Sequence, residues 1–407
     1  MSVIPFISAA KIAGLSTTTF SSLKTTSIAA FATTQLAVLN ADQVNALTST
    51  ALQYLAETQL QAISSTTLSG LLEAQIQAFT ATQITELTST QVSALAANEI
   101  GALSLDELQN LSTTQANALT ATQIGSLSTT VLNNLTTTQV AAFSTTQVQG
   151  LTTSQLNALS IDNLGALDVS KLGTGQTTGL STTVIGDLTT TQVAALAATE
   201  VAALNASQID QLTTSELQGL STTQANALTA AQVGSLSTTV LNNLTTTQVA
   251  ALTTAQVQGL YWAQLNALST SNLDALVVAL LLPVQVVGLN TTTITNLTST
   301  QVGTLTAAEI GALTMAGVNS LTTIEIAALT TTQAGGFTSA QIAGMTTTNF
   351  SALSSTSGIP GLSTSAIAGL TTDEINSLTT TQGQAFVMAQ ISVMSIDVAS
   401  ALAALIQ

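Results

Sequence analysis

Large apolar residues recur along this chain at intervals of eight. The interval runs without interruption from Ile7 to Leu167, which amounts to 20 octads. The consensus octad is Leu-[Ser/Thr]-x-x-[Gln/Glu]-[Val/Ile/Leu]-x-[Ala/Gly], so positions 1, 6 and 8 are apolar or small and the others are largely polar. A fixed short period of this kind indicates a repeat protein.

Each octad carries the signature of a helix start. Positions 2 and 5 form the capping box, in which each side chain binds the backbone N–H of the other residue. In Leu135–Ala142 these residues are Thr136 and Gln139. Leu135 and Val140, at positions 1 and 6, match the hydrophobic staple, an apolar pair that flanks such a cap. The pattern therefore predicts one very short helix per octad.

Glutamate replaces glutamine at position 5 in several octads. A carboxylate there still accepts the capping hydrogen bond and suits the positive end of a helix. We therefore interpret these acidic residues as caps. They are Glu99, Glu107, Glu200, Glu216, Glu309, Glu325 and Glu374.

The predicted helices are too short to be stable alone. Only about six residues separate one start from the next, whereas isolated helices below ~12–15 residues are marginal in water. Stability must come from stacking the apolar positions of neighbouring octads, as in solenoid proteins. We expect the small residues at position 8 to let neighbouring backbones approach closely. We predict an all-α solenoid. A β-solenoid is the alternative because Thr, Val and Ile favour strands, although the apolar spacing of five and three differs from strand alternation.

The octad pattern changes length at a few places. Leu167–Leu180 and Leu276–Leu289 are steps of 13 residues that start 109 residues apart. Ser112–Leu151 recurs almost unchanged as Ser221–Leu260, which indicates duplication of a block. We expect one continuous repeat array over residues 1–407. Its segments are 1–14 (N-terminal, apolar), 15–167 (octads), 168–180 (longer step), 181–276 (octads), 277–289 (longer apolar step), 290–386 (octads) and 387–407 (C-terminal, apolar).

Composition excludes several classes of function. The chain has 3 Lys and Arg residues against 19 Asp and Glu residues, and it contains no His and no Cys. Thiolate and imidazole metal sites are therefore excluded, and Ser-His or Cys-His catalysis lacks its base. Three lysines are too few to neutralise the phosphates of a nucleic acid. We expect a protein that is not an enzyme and that needs no cofactor, metal ion or nucleic acid.

The sequence also bears on location. The longest apolar stretch, Ala275–Leu282, is too short to span a bilayer, and the N-terminus lacks the charged segment of a cleaved signal peptide. Octads such as "LTTTQV" and "LTAAQV" resemble those of large Thr/Ala/Gln-rich repeat proteins of bacteria. That resemblance covers nearly the whole array and implies a secreted or cell-surface protein. We expect an extracellular or surface location without a recognisable cleaved signal.

Both chain ends and the second 13-residue step are apolar, which suggests self-association. Solenoids usually carry polar terminal repeats, large exposed apolar patches mark interfaces, and head-to-tail contacts that do not close produce filaments. We predict a structural protein that assembles with itself, head to tail and laterally, into a filament or surface layer. The predicted interface residues are Ile4, Phe6, Ile7, Leu280, Leu281, Leu282, Val284, Leu402, Leu405 and Ile406.

The alternative function is a monomeric surface adhesin or stalk. Rows of Thr at positions 2 to 4 would suit an ice-binding or glycosylated surface. Tyr261 and Trp262 replace the usual Thr pair in one octad, and their exposure would mark a contact site.

Overall fold

A computed structural model describes residues 4–407. These residues form short helices joined by tight turns, and no β-strand occurs among them. The all-α prediction is confirmed, and the β-solenoid alternative is wrong. The contacts between Cα atoms divide the chain into two compact units, Met1–Ala203 and Leu204–Gln407. Whether all octads form one continuous array stays a prediction.

The first unit contains 24 α-helices, numbered α1 to α24 along the chain, and 3₁₀ helices at Ile4–Phe6 and Val169–Lys171. The α-helices are Ala9–Ala13, Thr17–Ser21, Thr25–Ile28, Thr33–Leu36, Ala41–Asn45, Ser49–Leu52, Glu57–Ala62, Ser65–Leu68, Glu73–Ile76, Ala81–Glu86, Ser89–Ala94, Ala97–Gly101, Leu105–Asn110, Thr113–Ala118, Ala121–Ser126, Thr129–Asn133, Thr137–Ala141, Thr145–Gly150, Thr153–Leu156, Ile161–Ala166, Thr174–Thr178, Thr182–Gly186, Thr190–Ala195 and Ala198–Val201.

The second unit contains another 24 α-helices, numbered α25 to α48, and a 3₁₀ helix at Val278–Leu280. The α-helices are Ala206–Ile209, Thr214–Gly219, Thr222–Ala227, Ala230–Ser235, Thr238–Asn243, Thr246–Ala250, Thr254–Gly259, Trp262–Leu265, Thr270–Ala275, Pro283–Val287, Thr291–Thr295, Ser299–Thr304, Ala307–Ala312, Met315–Ser320, Thr323–Ala328, Thr331–Ala334, Ser339–Gly344, Thr347–Ser351, Gly358–Gly361, Thr364–Ile367, Thr372–Asn376, Thr380–Gly383, Met388–Ile391 and Ile396–Leu405.

The predicted capping box forms in α17. The Thr136 hydroxyl accepts a 3.2 Å hydrogen bond from the Gln139 N–H, and Gln139 Oε1 accepts one of 2.8 Å from the Thr136 N–H. Leu135 and Val140 are both buried, as the hydrophobic staple requires. Most helices end within six residues because the next position-1 residue takes an extended backbone, as Leu151 does after α18. Local sequence therefore sets both the start and the length of each helix.

Each unit is an α-solenoid in which helices three apart along the chain stack on each other. The pairs α15 with α18 and α28 with α31 are among the closest. Within runs of octads, the hydrogen bonds between turns join residues 25 to 31 positions apart, so one superhelical turn takes between three and four octads. Near the 13-residue steps, such bonds join residues as few as 22 positions apart. Positions 1 and 6 of the octads lie inside and form the core.

Small residues at position 8 allow the turns to come close. A Cβ atom on Gly150 would lie 2.7 Å from both the Cα atom and the carbonyl oxygen of Ala121, in the turn before. Real Cβ contacts are longer than this, so the backbones of α15 and α18 touch only because Gly150 has no side chain. This confirms the role predicted for position 8.

Each 13-residue step consists of a five-residue unit followed by an ordinary octad. In the first step, a 3₁₀ helix at Val169–Lys171 replaces the α-helix, and Leu172 becomes an additional buried position-1 residue. In the second step, Leu281 takes the same buried place after Val278–Leu280. The shorter unit preserves the core register while it shortens the turn by three residues.

Candidate functional site

The most regular feature inside the solenoid is a row of buried amides at position 5. Gln139 Nε2 donates hydrogen bonds of 2.9 Å to the backbone carbonyls of Leu108 and Leu111, one turn earlier. The last carbonyls of a helix have no partner within the helix, and buried ones must be paired. The residues that make at least two such bonds also include Gln91, Gln123, Gln147, Gln155, Gln248, Gln256, Gln264, Gln341 and Gln390.

Asparagines at position 7 form a second set of contacts between turns, which sequence reasoning missed. Asn133 Nδ2 donates a 2.7 Å hydrogen bond to the Ala158 carbonyl, and its Oδ1 accepts one of 2.8 Å from the Ser160 N–H. The available signal was the recurrence of Asn at this position. Its other members are Asn45, Asn157, Asn242, Asn266 and Asn319.

Three of the position-5 glutamates have raised pKa values. Burial is the main cause for Glu99, Glu200 and Glu374, because it disfavours the charged form. The hydrogen bond from the N-cap backbone N–H, 2.5 Å from Ala96 in the case of Glu99, acts in the opposite direction. The other carboxyl oxygen of Glu99 is buried without a hydrogen-bond partner. These carboxyl groups accept their capping hydrogen bonds as predicted.

The carboxyl groups do not converge. Within residues 4–407, no three acidic side chains come close enough to hold a metal ion. Asp168 differs from the others because its pKa is lowered, mainly by the Ser170 hydroxyl, which donates a 2.6 Å hydrogen bond. Lys171 contributes further through an ion pair of 3.2 Å and also donates to the Phe143 carbonyl at 2.7 Å. Asp168, Ser170 and Lys171 all lie in the five-residue unit of the first 13-residue step.

The predicted interface residues divide into three groups by exposure. Buried residues contribute to the core and have no free surface for a partner, because they occupy or flank the apolar octad positions. The buried residues are Ile4, Leu281 and Leu402. The partly exposed residues are Ile7, Leu280 and Leu405. The exposed residues are Phe6, Leu282, Val284 and Ile406.

Exposed large apolar side chains gather in two regions. Of 18 such residues in the described chain, six lie between Tyr261 and Val287 and five between Val387 and Ile406. We call the first set the aromatic surface: Tyr261, Trp262, Val277, Leu282, Val284 and Val287. We call the second set the C-terminal apolar surface: Val387, Met388, Val393, Ile396 and Ile406.

Several members of both surfaces were not predicted from the sequence, although their positions in the octad indicated exposure. Positions 2 to 4 of the octad are polar almost everywhere, because they lie outside the core. An apolar residue at one of these positions is therefore exposed, as Met388 and Ile396 at position 3 show. Position within the octad would have identified most members of both surfaces, but not Val287, Val393 and Ile406.

Comparison with known proteins indicates which kind of repeat the octads resemble. The family model of the ALTTAQ repeat matches residues 122–153 and 132–169. This stretch is similar to the ALTTAQ repeat. The match supports a Thr/Ala/Gln-rich repeat protein, in agreement with the octads and with the solenoid. No curated protein matches the chain. Among the helices of residues 4–407, none has both the length and the apolar character needed to cross a bilayer.

Proposed function

We propose that this chain is a structural repeat protein that associates with copies of itself into a filament or layer, outside the cell or on its surface. The repeat architecture and the ALTTAQ similarity support the structural part of the proposal. The observation that carries the self-association is the C-terminal apolar surface.

The C-terminal apolar surface is built on an unusual helix. Helix α48, Ile396–Leu405, has ten residues, whereas the other α-helices have four to six. It buries Val398 and Leu402 against the preceding octads. Ile396 nevertheless remains 85% exposed, and Met388 on α47 remains 78% exposed. Full burial of such a side chain contributes about 1.5–3 kcal/mol, so covering this surface would stabilise a complex.

The exposed Phe6 and the distribution of charge favour a second copy of the chain as the partner for this surface. Phe6, in the 3₁₀ helix Ile4–Phe6, is 89% exposed and could supply an apolar contact from another copy. Lys11 and Lys24 lie in the same region, and the first acidic residue is Asp42. The rest of the chain is acidic, so a lysine-bearing start attracts the acidic surface of another copy. Repetition of such a heterologous contact yields an open assembly.

The experiment measures particle size by sedimentation velocity and electron microscopy over a range of protein concentrations. We expect the size to increase with concentration, and we expect Ile396→Ser to suppress this growth. Ile161→Ser is the matched control, because both isoleucines follow an N-cap serine and precede an aspartate. Ile161 is 71% exposed, and its replacement should leave the association unchanged.

Two outcomes contradict the proposal. Particles of a single chain at every concentration would favour the monomeric adhesin or stalk. Equal effects of the two isoleucine substitutions would mean that the C-terminal apolar surface has no specific role.

A further inference from the structure

A pocket of about 490 Å³ lies within the second unit, beside the aromatic surface. Tyr261, Trp262, Leu282 and Val284 are among the residues that line it, together with Gly234 and Gly259. Ligand pockets typically measure 300–1,000 Å³ and are mostly apolar with a few polar groups. The pocket contains the single tryptophan of the chain and one of its two tyrosines.

A glycine lies next to each of the two aromatic rings. A Cβ atom on Gly288 would lie 2.5 Å from Trp262 Cγ, so the indole packs directly against the Gly288 backbone. A Cβ atom on Gly234 would lie 3.4 Å from Tyr261 Cε2, so the phenol ring lies beside that glycine. An indole packed this closely against a backbone loses little conformational freedom when a ligand binds, which favours affinity.

The duplicated block provides an internal comparison. Ser112–Leu151 and Ser221–Leu260 are near-identical and lie 109 residues apart. At the same offset, Thr152 and Thr153 stand where the second copy has Tyr261 and Trp262. Gly173 and Gly175 stand in the places of Leu282 and Val284. The four positions are therefore equivalent in the two copies. In the second copy, each of them carries a large apolar side chain.

The lining determines the chemistry of the ligand. Its side chains carry no charge at neutral pH, and the chain as a whole has a net charge of −16. The Gln285 amide and the Ser235 hydroxyl already bind backbone groups within the protein. The polar side-chain groups left to contact a ligand are the exposed Gln258 amide, the Tyr261 hydroxyl and the Trp262 indole N–H. A sugar, with hydroxyls around its ring, needs more partners than these.

We propose that this pocket binds an uncharged, flat aromatic molecule, which packs between Tyr261, Trp262 and Val284. Stacked or edge-to-face contacts between aromatic rings contribute beyond the burial of area alone. The proposal does not depend on association through the C-terminal apolar surface, which lies elsewhere in the sequence and shares no residue with the pocket.

The probe for the test is N-phenyl-1-naphthylamine, an uncharged aromatic dye whose fluorescence rises in apolar surroundings. Trp262, as the single tryptophan, serves as the energy donor for a dye bound beside it. We expect saturable binding of one dye per chain with energy transfer from Trp262. The anionic dye 8-anilinonaphthalene-1-sulfonate should bind more weakly, because the lining supplies no positive group.

The test variant is the double substitution Tyr261→Thr and Leu282→Gly, which introduces the residues of the first copy and keeps Trp262. We expect its affinity for the neutral dye to fall about tenfold or more. A tenfold change in the dissociation constant corresponds to the loss of a single good contact. The matched control is Tyr54→Thr with Leu72→Gly. Tyr54 is also exposed, and Leu72 is an N-cap residue as Leu282 is. The control should bind like the wild type.

Circular dichroism establishes whether the variants are folded. Should the double variant unfold, Trp262→Thr gives a second test through the fluorescence of the dye itself. Absence of saturable binding to the wild type would overturn the proposal, as would equal affinity of wild type and folded pocket variants. Equal affinity for the two dyes would overturn the assignment of an uncharged ligand. Ile396→Ser should leave dye binding intact, which separates this site from the proposed self-association.

Discussion

Gln139 donates a 2.9 Å hydrogen bond from its side-chain amide to the backbone carbonyl of Leu108, 31 residues earlier in the chain. The same side chain caps its own helix through the Thr136 N–H. A single glutamine therefore completes the start of one helix and the end of another. Because most octads carry Gln or Glu at position 5, this relationship supports the stacking of successive turns.

Removal of this amide should destabilise the fold. We expect Gln139→Ala to lower the free energy of unfolding by roughly 1–3 kcal/mol, because the buried Leu111 carbonyl loses its donor and the Leu108 carbonyl keeps only the Leu111 N–H. Denaturant unfolding followed by circular dichroism measures the change. Gln149→Ala, at an exposed position of the neighbouring octad, is the control and should change stability by less than about 0.5 kcal/mol. Similar losses in both variants would contradict the role of the buried amide.

Glu99 should make the stability depend on pH. Its pKa is raised above the ordinary value of 4.5, chiefly by burial. The folded state therefore holds the proton more tightly than the unfolded state. The resulting contribution to stability is fully present below about pH 4.5 and is lost as the pH rises through the folded-state pKa. Helix α12, which carries Glu99, packs on α9 and α15. The one ionisable side chain on those two helices is the exposed Glu73. The next ionisable side chains along the chain are Asp106 and Glu107, on α13.

Glu99→Gln tests this dependence. The new amide can donate to the preceding turn as Gln91 and Gln115 do. We expect the free energy of unfolding at pH 7 to rise by roughly 1–3 kcal/mol, with the gain shrinking towards pH 4. Asp106→Asn, at an exposed position, is the control for lost charge. A gain that is the same at both pH values would contradict the titration of Glu99.

Two glycine substitutions should have opposite effects. Gly150→Ala places a methyl group 2.7 Å from the Ala121 backbone and should cost about 1–3 kcal/mol of stability. Gly165→Ala meets no atom within 4 Å and lies in helix α20, so it should gain about 0.5–1 kcal/mol. Thermal unfolding of the two single variants measures both changes. A stabilising Gly150→Ala would contradict the close approach of α15 and α18.

Adjacent leucines of the second 13-residue step should respond differently. Leu281 is buried as the position-1 residue of the step, whereas Leu282 is exposed at position 2. We expect Leu281→Ala to cost about 2–5 kcal/mol, as core truncations do. Leu282→Ala should stay within about 0.5 kcal/mol of the wild type, as surface substitutions do. Denaturant unfolding of both variants checks this, and a reversed order would contradict the register of the step.

Local interactions explain why much of the fold could be predicted. The capping box joins residues three positions apart and the staple joins residues five apart, so Thr136, Gln139, Leu135 and Val140 could be assigned from one octad. The same locality correctly placed positions 1 and 6 in the core. It also identified position 8 as the place of close approach.

The octads by themselves thus determined the helix starts, the helix lengths and the buried positions, because these depend on neighbours within eight residues. Only the tertiary structure decided which carbonyls Gln139 reaches, that Asn133 joins two turns, and that Leu281 is buried beside the exposed Leu282. It also placed Tyr261 and Trp262 beside Leu282 and Val284 around one pocket. These contacts span about 20 to 31 residues, and their partners follow from the number of octads in a superhelical turn. That number depends on how whole turns pack, which no single octad encodes.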